Sequence, residues 1–300
     1  MNALLSEPVQ ALVAINLLLT ISLLFPFAAG VWSLGMAGFM AAGAYAAAYS
    51  STTLGLPVGV ALTLGALAGM VSTLPVGFLA MRTRGVYLSI ATLAEAELIL
   101  LFFSHFEPTG AVMGMTGIPF INVATLILSA AASALVAVLL FNSRLGKALV
   151  SVGSDRVVAS CNGINVPIVQ LGALALSGIF AGLAGAFFAH FYSFISPANF
   201  GAGRVVDILM FLVVGGITPL GAVIGSTFLT LVPQVSAGLE KWAPAIYGVI
   251  VIVTMAFLPD GVFPKNRLTS LYRRLAGRRG ATSVEKGAAE PGVQEGKSHA

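Results

Sequence analysis

Long apolar stretches that carry almost no charge recur along this sequence and limit its fold more than any other feature. Most of them reach the roughly 17–25 residues that a helix needs to cross about 30 Å of hydrocarbon. Charged residues make up only 9% of the chain and its mean hydropathy is +0.98, whereas soluble domains are about 25% charged. The sequence therefore predicts an all-α, polytopic transmembrane helical bundle. The apolar stretches are residues 9–31, 33–50, 56–81, 86–103, 120–141, 168–189, 208–237 and 243–258.

The stretch 208–237 is too long for one span, and GGITPLG at residues 215–221 interrupts it. Reading it as two spans gives about nine in total, although eight or ten are also compatible with the pattern. Pro26 and Pro75 lie inside apolar stretches, where proline removes a backbone hydrogen bond and bends or breaks a helix. We therefore expect broken or kinked helices, as in many transporters. The first stretch lacks the basic region and cleavage site of a signal peptide, so we expect it to be retained.

Basic residues are distributed unevenly among the connections. Thirteen of the 15 Lys and Arg residues lie at 82–84, in the polar loop 142–167 or after residue 264, which leaves only Arg204 and Lys241. Because cytoplasmic loops are enriched in basic residues, we predict a cytoplasmic loop and C-terminus and an external N-terminus. The net charge of +4 then reflects membrane topology, with lipid as the surroundings, and does not indicate nucleic-acid binding.

Two regions are expected from this distribution. Residues 1–264 form the transmembrane domain, which includes the polar loop 142–167. Residues 265–300 are rich in Gly, Ala, Arg, Glu and Ser, and they are predicted to form a basic, disordered cytoplasmic tail. The one cysteine, Cys161, falls in the polar loop, so the sequence predicts no disulfide framework.

Two carboxylates lie deep in the predicted membrane. If the stretch 86–103 starts near Gly85 at the cytoplasmic face, Glu95 and Glu97 lie roughly 15–18 Å from that face, close to the bilayer centre. Positions two apart on a helix differ by about 200°, so the two side chains cannot face the same lumen. For each glutamate two roles remain open: contact with solute or a water-filled path, or a structural hydrogen bond.

Within the polar loop, Leu145, Leu149 and Val152 recur at helical spacing. Ser154 is the predicted cap of a short helix over residues 155–161 that Asn162-Gly163 closes. Such an amphipathic segment could bind a cytoplasmic partner or rest on lipid headgroups.

Signatures of catalysis and of bound groups are not found in the sequence. It contains no GxSxG, HExxH or GxxxxGK[ST] motif, and no His, Cys and carboxylate set has the spacing of metal ligands. We therefore predict a non-catalytic protein without a cofactor or metal. His105 and His190 are expected to be solvated near the outer interface, where Arg204 and Asp207 can pair on one helical face.

Seven segments in order make this chain resemble the permease subunits of branched-chain amino-acid ABC importers, the LivM/LivH type, and the LivM type more closely. The resemblance covers most of residues 33–264. The segments are SLGMAGFMAAGAYAAAY from Ser33, RTRGVYLSIATLAEAEL from Arg82, TG…MGMTGIP from Thr109, SRLGKAL…ASCNGINV from Ser143, LSGIFAGLAGAFFAHFYSFISPANF from Leu176, VVGGITPLGAVIGS from Val213 and IYGVIVIVTMAFLPDGVFP from Ile246.

The resemblance implies an inner-membrane permease that works with a second, LivH-type permease subunit, two cytoplasmic ATPases and an extracytoplasmic solute-binding protein. Glu97 matches the intramembrane glutamate of the family, whereas Glu95 stands where an aromatic residue is usual. Ala111 and Met113 replace the usual Gly and Asn of the outer loop, so solutes related to branched-chain amino acids, such as other amino acids, urea, short amides or carboxylates, stay open. The residues expected in the ATPase-docking loop are Gly146, Ala148, Asp155, Arg156, Ala159 and Gly163.

Two other classes of protein are compatible with parts of the sequence. A proton-coupled secondary transporter would use Glu95 or Glu97 as the proton carrier, and it would work without ATP. An intramembrane enzyme would need two carboxylates on one face for acid and base catalysis, and the rotation between the two glutamates argues against it.

Overall fold

The computed structural model describes residues 6–83 and 85–235, together with the isolated helical residues Ala245, Gly248, Val249, Ile252 and Ala256. Helices dominate the described part. The helices are α1 (Glu7–Ala28), α2 (Met36–Thr52), α3 (Val58–Ser72), α4 (Leu74–Arg82), α5 (Val86–His105), α6 (Val123–Asn142), α7 (Arg144–Ser154), α8 (Arg156–Cys161), α9 (Val166–Tyr192), α10 (Ala202–Gly215) and α11 (Pro219–Val235).

Six segments of the described chain are long and apolar enough to cross a membrane. This confirms the predicted all-α, polytopic transmembrane class. The predicted count of about nine spans is not tested, because the last apolar stretch, 243–258, lies outside the described residues apart from isolated positions. Two short strands also form, and β1 (Met115–Thr116) pairs antiparallel with β2 (Phe194–Ile195).

The helices break at two of the predicted places. The stretch 56–81 divides into α3 and α4 at Thr73, and Pro75 lies in the first turn of α4, where its missing N–H is tolerated. The stretch 208–237 divides into α10 and α11 around Gly216, whose φ of +92° favours glycine. Pro26 lies in the last turn of α1, which ends two residues later.

The centre of the bundle is built from α1, α2 and α9, and α3 packs on α2 and α9 from outside with one face buried. α1 is buried along most of its length, and the other three helices cross where glycines meet. A Cβ on Gly182 of α9 would lie 2.9 Å from the Cα of Gly69 on α3, and one on Gly43 of α2 would collide with Gly182 itself. Because lipid provides no hydrophobic drive for helix association, this close backbone contact is what holds the helices together.

Buried polar contacts add specific links between distant parts of this core. The amide of Asn16 on α1 donates a hydrogen bond of 3.1 Å to the hydroxyl of Thr230 on α11. The hydroxyl of Ser22 donates to the carbonyl oxygen of Ser177 on α9 at 2.8 Å. These contacts fix the register of α1 against both neighbours in surroundings where an unpaired polar group is unfavourable.

The bundle has two distinct ends. At the first end, which we call the α7–α8 end, α7 and α8 contact the C-terminal end of α1 and the start of α9. At the opposite end, the strand pair β1–β2 joins the connection after α5 to the connection after α9.

Candidate functional sites

The polar loop 142–167 is almost entirely helical. α7 directs Leu149 and Val152 into the bundle, as the helical spacing predicts, while Leu145 on the same helix is exposed. α8 follows after the single residue Asp155. The loop therefore forms two short helices at the α7–α8 end.

The residue that caps α8 differs from the prediction. The Asp155 carboxylate accepts hydrogen bonds from the backbone N–H groups of Val157 and Val158, at 2.8 and 3.1 Å. Ser154 still belongs to the last turn of α7, and its hydroxyl donates back to the carbonyl oxygen of Val150 at 2.8 Å. The predicted Ser154 cap is therefore wrong, because an extended backbone at Asp155 separates the helices and gives the capping geometry to that residue. Gly163, with φ of +77°, follows Asn162 at the end of α8 as predicted.

The six residues expected to dock an ATPase do not lie on one surface. Gly146 is buried against the backbone of Phe141 at the end of α6, and Ala159 is also buried. Ala148 and Arg156 are half-buried, whereas Asp155 and Gly163 are exposed. Gly146 and Ala159 thus support the packing of α7 and α8 onto the bundle in this structure.

Two apolar side chains that the sequence reasoning did not select, Val157 and Val158, are exposed on the same segment together with Leu145. Val157 is 71% exposed, and Leu145 and Val158 are also mostly exposed. The sequence contained a signal for this surface, since the adjacent Val157 and Val158 follow the polar residues Ser154, Asp155 and Arg156.

The inner side of α7 and α8 is attached to the C-terminal end of α1. The Arg156 guanidinium donates a hydrogen bond of 2.9 Å to the carbonyl oxygen of Gly30. Gln170 at the start of α9 donates to the carbonyl oxygen of Ala29 at 3.5 Å, and Gly153 lies against the carbonyl of Ala28. Carbonyls at a helix C-terminus lack partners within their own helix and carry partial negative charge, so a cation is favourable there.

A cleft of about 230 Å³ opens beside this attachment. The cleft lies between the end of α4, the outer side of α8 and the start of α9, and its lining combines apolar and polar side chains. The lining residues are Ala80, Arg156, Val157, Ser160, Val166, Pro167 and Gln170.

The two glutamates of α5 lie in different surroundings, as the rotation between them predicts. Glu95 is half-buried beside the start of α4, where the backbone N–H of Val76 lies near its carboxylate, although neither buried carboxylate oxygen makes a hydrogen bond of standard geometry with the described residues. Glu97 is exposed next to Leu98 and Leu101, on a face of α5 that the described part of the chain does not cover. The structure therefore separates one glutamate within the bundle from one on its surface.

The start of α5 is bonded to the connection between α1 and α2. The Ser89 hydroxyl donates to the carbonyl oxygen of Trp32 at 2.7 Å. The Thr92 hydroxyl accepts a hydrogen bond of 2.9 Å from the backbone N–H of Leu34, and Thr92 is completely buried. α5 and the α1–α2 connection are therefore linked through both backbone and side-chain groups.

At the opposite end, His190 is not solvated as predicted. It is fully buried, and its Nδ1 lies 2.8 Å from the carbonyl oxygen of Ala186 one turn earlier. Packing of α9 at the centre of the bundle covers it, whereas His105 at the end of peripheral α5 is exposed. The Arg204 guanidinium lies over the Phe188 ring, 5.2 Å from its centroid. Its Nε and Nη2 have no hydrogen-bond partner among the described residues, so the predicted pairing with Asp207 does not satisfy them.

Comparison with known proteins adds a family to this geometry. Residues 9–258 match the model of the family described as "Branched-chain amino acid transport system / permease component". The chain therefore belongs to this family of membrane transport permeases, as the sequence motifs predicted.

Individual relatives are more distant. The chain is 27% identical over 275 residues to the high-affinity branched-chain amino acid transport system permease protein LivM of Salmonella typhimurium. It is 26% identical over 276 residues to the protein of the same name from Escherichia coli K12. Each alignment covers 79% of this chain and 65% of the relative, so the chain spans about two thirds of the relatives' length. No solved structure matches the chain.

Proposed function

We propose that this protein is an inner-membrane permease subunit of an ABC importer. It would form part of the translocation path for branched-chain amino acids or related small polar solutes, driven by separate ATPase subunits. The observation that carries the proposal is the exposure of Leu145, Val157 and Val158 on two short helices that are bonded to the end of the bundle. We call these three residues the docking face.

The docking face fits a protein partner better than lipid headgroups. Val157 lines the cleft, and the adjacent Val158 is exposed on the surface of α8. The cleft is partly polar and has Arg156 and Gln170 in its wall. A protein partner with a complementary surface can cover both the exposed apolar side chains and the polar cleft. Exposed apolar patches of this kind mark interaction sites.

The proposed orientation follows the distribution of charge. The α7–α8 end would face the cytoplasm, where ATPases act, because the polar loop and the region after residue 264 contain most of the basic residues. The N-terminus would lie outside, with a solute-binding protein at the opposite end of the bundle. Residues 1–264 would form the permease domain and residues 265–300 a cytoplasmic tail.

The position of Glu97 supports the proposal that α5 lies beside the translocation path. Ionisable residues at the centre of a membrane helix are unfavourable by about 2.5–3.5 kcal/mol on insertion scales, and such residues almost always face protein or water. The described part of this chain does not cover Glu97. We therefore propose that this face of α5 meets the second permease subunit along a water-filled path.

The decisive experiment measures solute uptake into proteoliposomes that contain this protein with its partner permease, ATPases and binding protein. Uptake should require ATP and the complete set of subunits. Uptake that this chain supports alone, driven by a proton gradient without ATP, would contradict the proposal and favour a secondary transporter that uses Glu95 or Glu97.

Docking itself is tested by Val157→Asp, which places a charge in the docking face. The variant should lose co-purification of the ATPases while it still inserts into the membrane. Val112→Asp is the matched control, because Val112 is 73% exposed at the opposite end of the bundle. Equal ATPase binding by the wild-type protein and Val157→Asp would contradict docking at α8.

A further inference from the structure

The connection between α1 and α2, residues 29–35, is held from two sides. On one side, Arg156 of α8 and Gln170 of α9 donate to the carbonyl oxygens of Gly30 and Ala29. On the other side, Ser89 and Thr92 of α5 bond to Trp32 and Leu34. The seven-residue connection thus stands between the proposed docking segment and the helix that carries Glu95 and Glu97.

The connection is also tightly packed against both sides. Gly30 has φ of +68°, and a Cβ on it would lie 3.2 Å from the Cα of Gly153 at the end of α7. A Cβ on Gly35 would lie 2.9 Å from the ring of Phe39 and 3.1 Å from the carbonyl oxygen of Thr92 on α5. The connection therefore packs closely against the backbone of α7 at one end and against the backbone of α5 at the other, and close-packed contacts of this kind transmit a displacement.

We propose that the α1–α2 connection transmits movement of α7 and α8 to the start of α5. Arg156 and Thr92 are the positioning residues at its two contacts. The inference rests on the proposed function, since it assumes that an ATPase moves the docking segment. It adds an internal route from the docking face to the translocation path. Arg156 connects α8 to Gly30, and Thr92 connects Leu34 to α5.

The chemistry of the two contacts supports this assignment. Each is a hydrogen bond to a backbone group of the connection, so it moves the chain itself and not a side chain. The Thr92 hydroxyl also donates to the carbonyl oxygen of Ser89 at 2.8 Å. The N–H of Leu34 is thereby joined to the first turns of α5. Energetic coupling between sites is carried by such contiguous packed and hydrogen-bonded networks, and its demonstration needs measured coupling.

The test uses the complete importer in proteoliposomes and measures solute taken up per ATP hydrolysed. Arg156→Gln and Thr92→Val should each lower this ratio by at least about fivefold, the lower range of allosteric coupling, and Thr92→Val, which lies away from α7 and α8, should keep ATPase co-purification. Thr63→Val is the matched control for Thr92, because in the part of the chain that the structure describes the Thr63 hydroxyl bonds within α3, to Val60. Arg82→Gln is the control for Arg156, since Arg82 is an exposed cation at the same end. Both controls should keep the wild-type ratio.

Two further variants separate transmission from a loss of structure. Thr92→Ser keeps the hydroxyl and should restore most of the ratio, which a general packing defect would not predict. The double variant Arg156→Gln, Thr92→Val should be little worse than either single variant, because both changes interrupt one route.

The outcomes distinguish this inference from the proposed function. If the wild-type complex shows no ATP-dependent uptake, the proposed function fails. If the wild-type complex is active and Arg156→Gln and Thr92→Val keep the normal ratio, only the route through the connection is wrong. Loss of ATPase binding in Arg156→Gln would also overturn it, since Arg156 would then be a docking residue. Independent, multiplying effects in the double variant would show two separate routes.

Discussion

The two glutamates of α5 show how much the surroundings of a single residue determine its role. Both lie near the middle of the same helix, two positions apart. Glu95 is directed toward Val76 at the start of α4, and its buried oxygens make no hydrogen bond of standard geometry with the described part of the chain. Glu97 is directed outward among apolar side chains. One glutamate therefore affects the packing of the bundle, and the other affects what its surface can contact.

Glu97→Gln should lower uptake while the protein still assembles with its partners, because the change removes the charge and keeps hydrogen-bonding capacity. Glu95→Met should instead raise the thermal stability of the purified protein, since burying an unsatisfied polar group costs about 1–3 kcal/mol and methionine is apolar and of similar length. Uptake assays and thermal unfolding of the two variants measure this difference. Loss of uptake in Glu95→Met together with normal uptake in Glu97→Gln would reverse the two roles.

The cap of α8 provides a second contrast between neighbours. Asp155→Ala should destabilise α8 by about 1 kcal/mol, because two backbone N–H groups lose their acceptor. Ser154→Ala should have little effect on α8, since the Ser154 hydroxyl bonds within α7. Hydrogen exchange of the α8 amides reports both variants, and faster exchange in Ser154→Ala than in Asp155→Ala would contradict the assigned cap.

The sequence predicted the direction in which these side chains point better than it predicted their contacts. Helical spacing placed Glu95 and Glu97 on different faces, and it directed Leu149 and Val152 inward. It could not show that Arg156 reaches Gly30, because that contact joins positions 126 residues apart along the chain. It also missed the Asp155 cap, since two adjacent polar residues both have the chemistry of a cap and only the backbone dihedrals distinguish them.

At the scale of elements, α9 organises the bundle through its small residues. Its glycines allow α2 and α3 to approach at backbone distance, and its start holds the end of α1 through Gln170. The spacing of Gly65 with Gly69 and of Gly178 with Gly182 in the sequence is typical of membrane helices that pack closely. It did not predict which helices meet, because several apolar stretches have glycines at the same spacing.

Gly182→Ala should markedly lower the thermal stability of the protein. A Cβ at this position would lie 2.9 Å from the Cα of Gly69, so the α3 and α9 backbones must separate, and overpacking of a core typically costs about 1–3 kcal/mol. Gly172→Ala on the same helix is the control, because nothing lies within 4 Å of the Cβ that it adds. Thermal unfolding of the two variants in detergent makes the comparison. Equal unfolding midpoints would contradict the close contact between α3 and α9.

At the scale of the whole molecule, the two ends of the bundle should be exposed on opposite sides of the membrane. Cys161 is the one cysteine of the chain and is exposed at the α7–α8 end. An impermeant thiol reagent should label it only from the cytoplasmic side. In a variant with Cys161→Ser and Met113→Cys, labelling should occur only from outside, since Met113 is 87% exposed at the opposite end. The reverse pattern would overturn the proposed orientation.

The β1–β2 strand pair restrains the far end of α5, so a displacement of its start would tilt the helix. β1 follows α5 after a short connection and is paired to β2, so the far end of α5 is tethered to the connection after α9. A helix of 20 residues is about 30 Å long. A displacement of about 2 Å at its start, with the far end held, therefore tilts it by about 4° and moves its middle by about 1 Å. A longer connection between α5 and β1 would let the whole helix slide and would reduce that tilt. The width of the proposed path beside Glu97 would then depend on a pair of two-residue strands at the opposite end of the bundle.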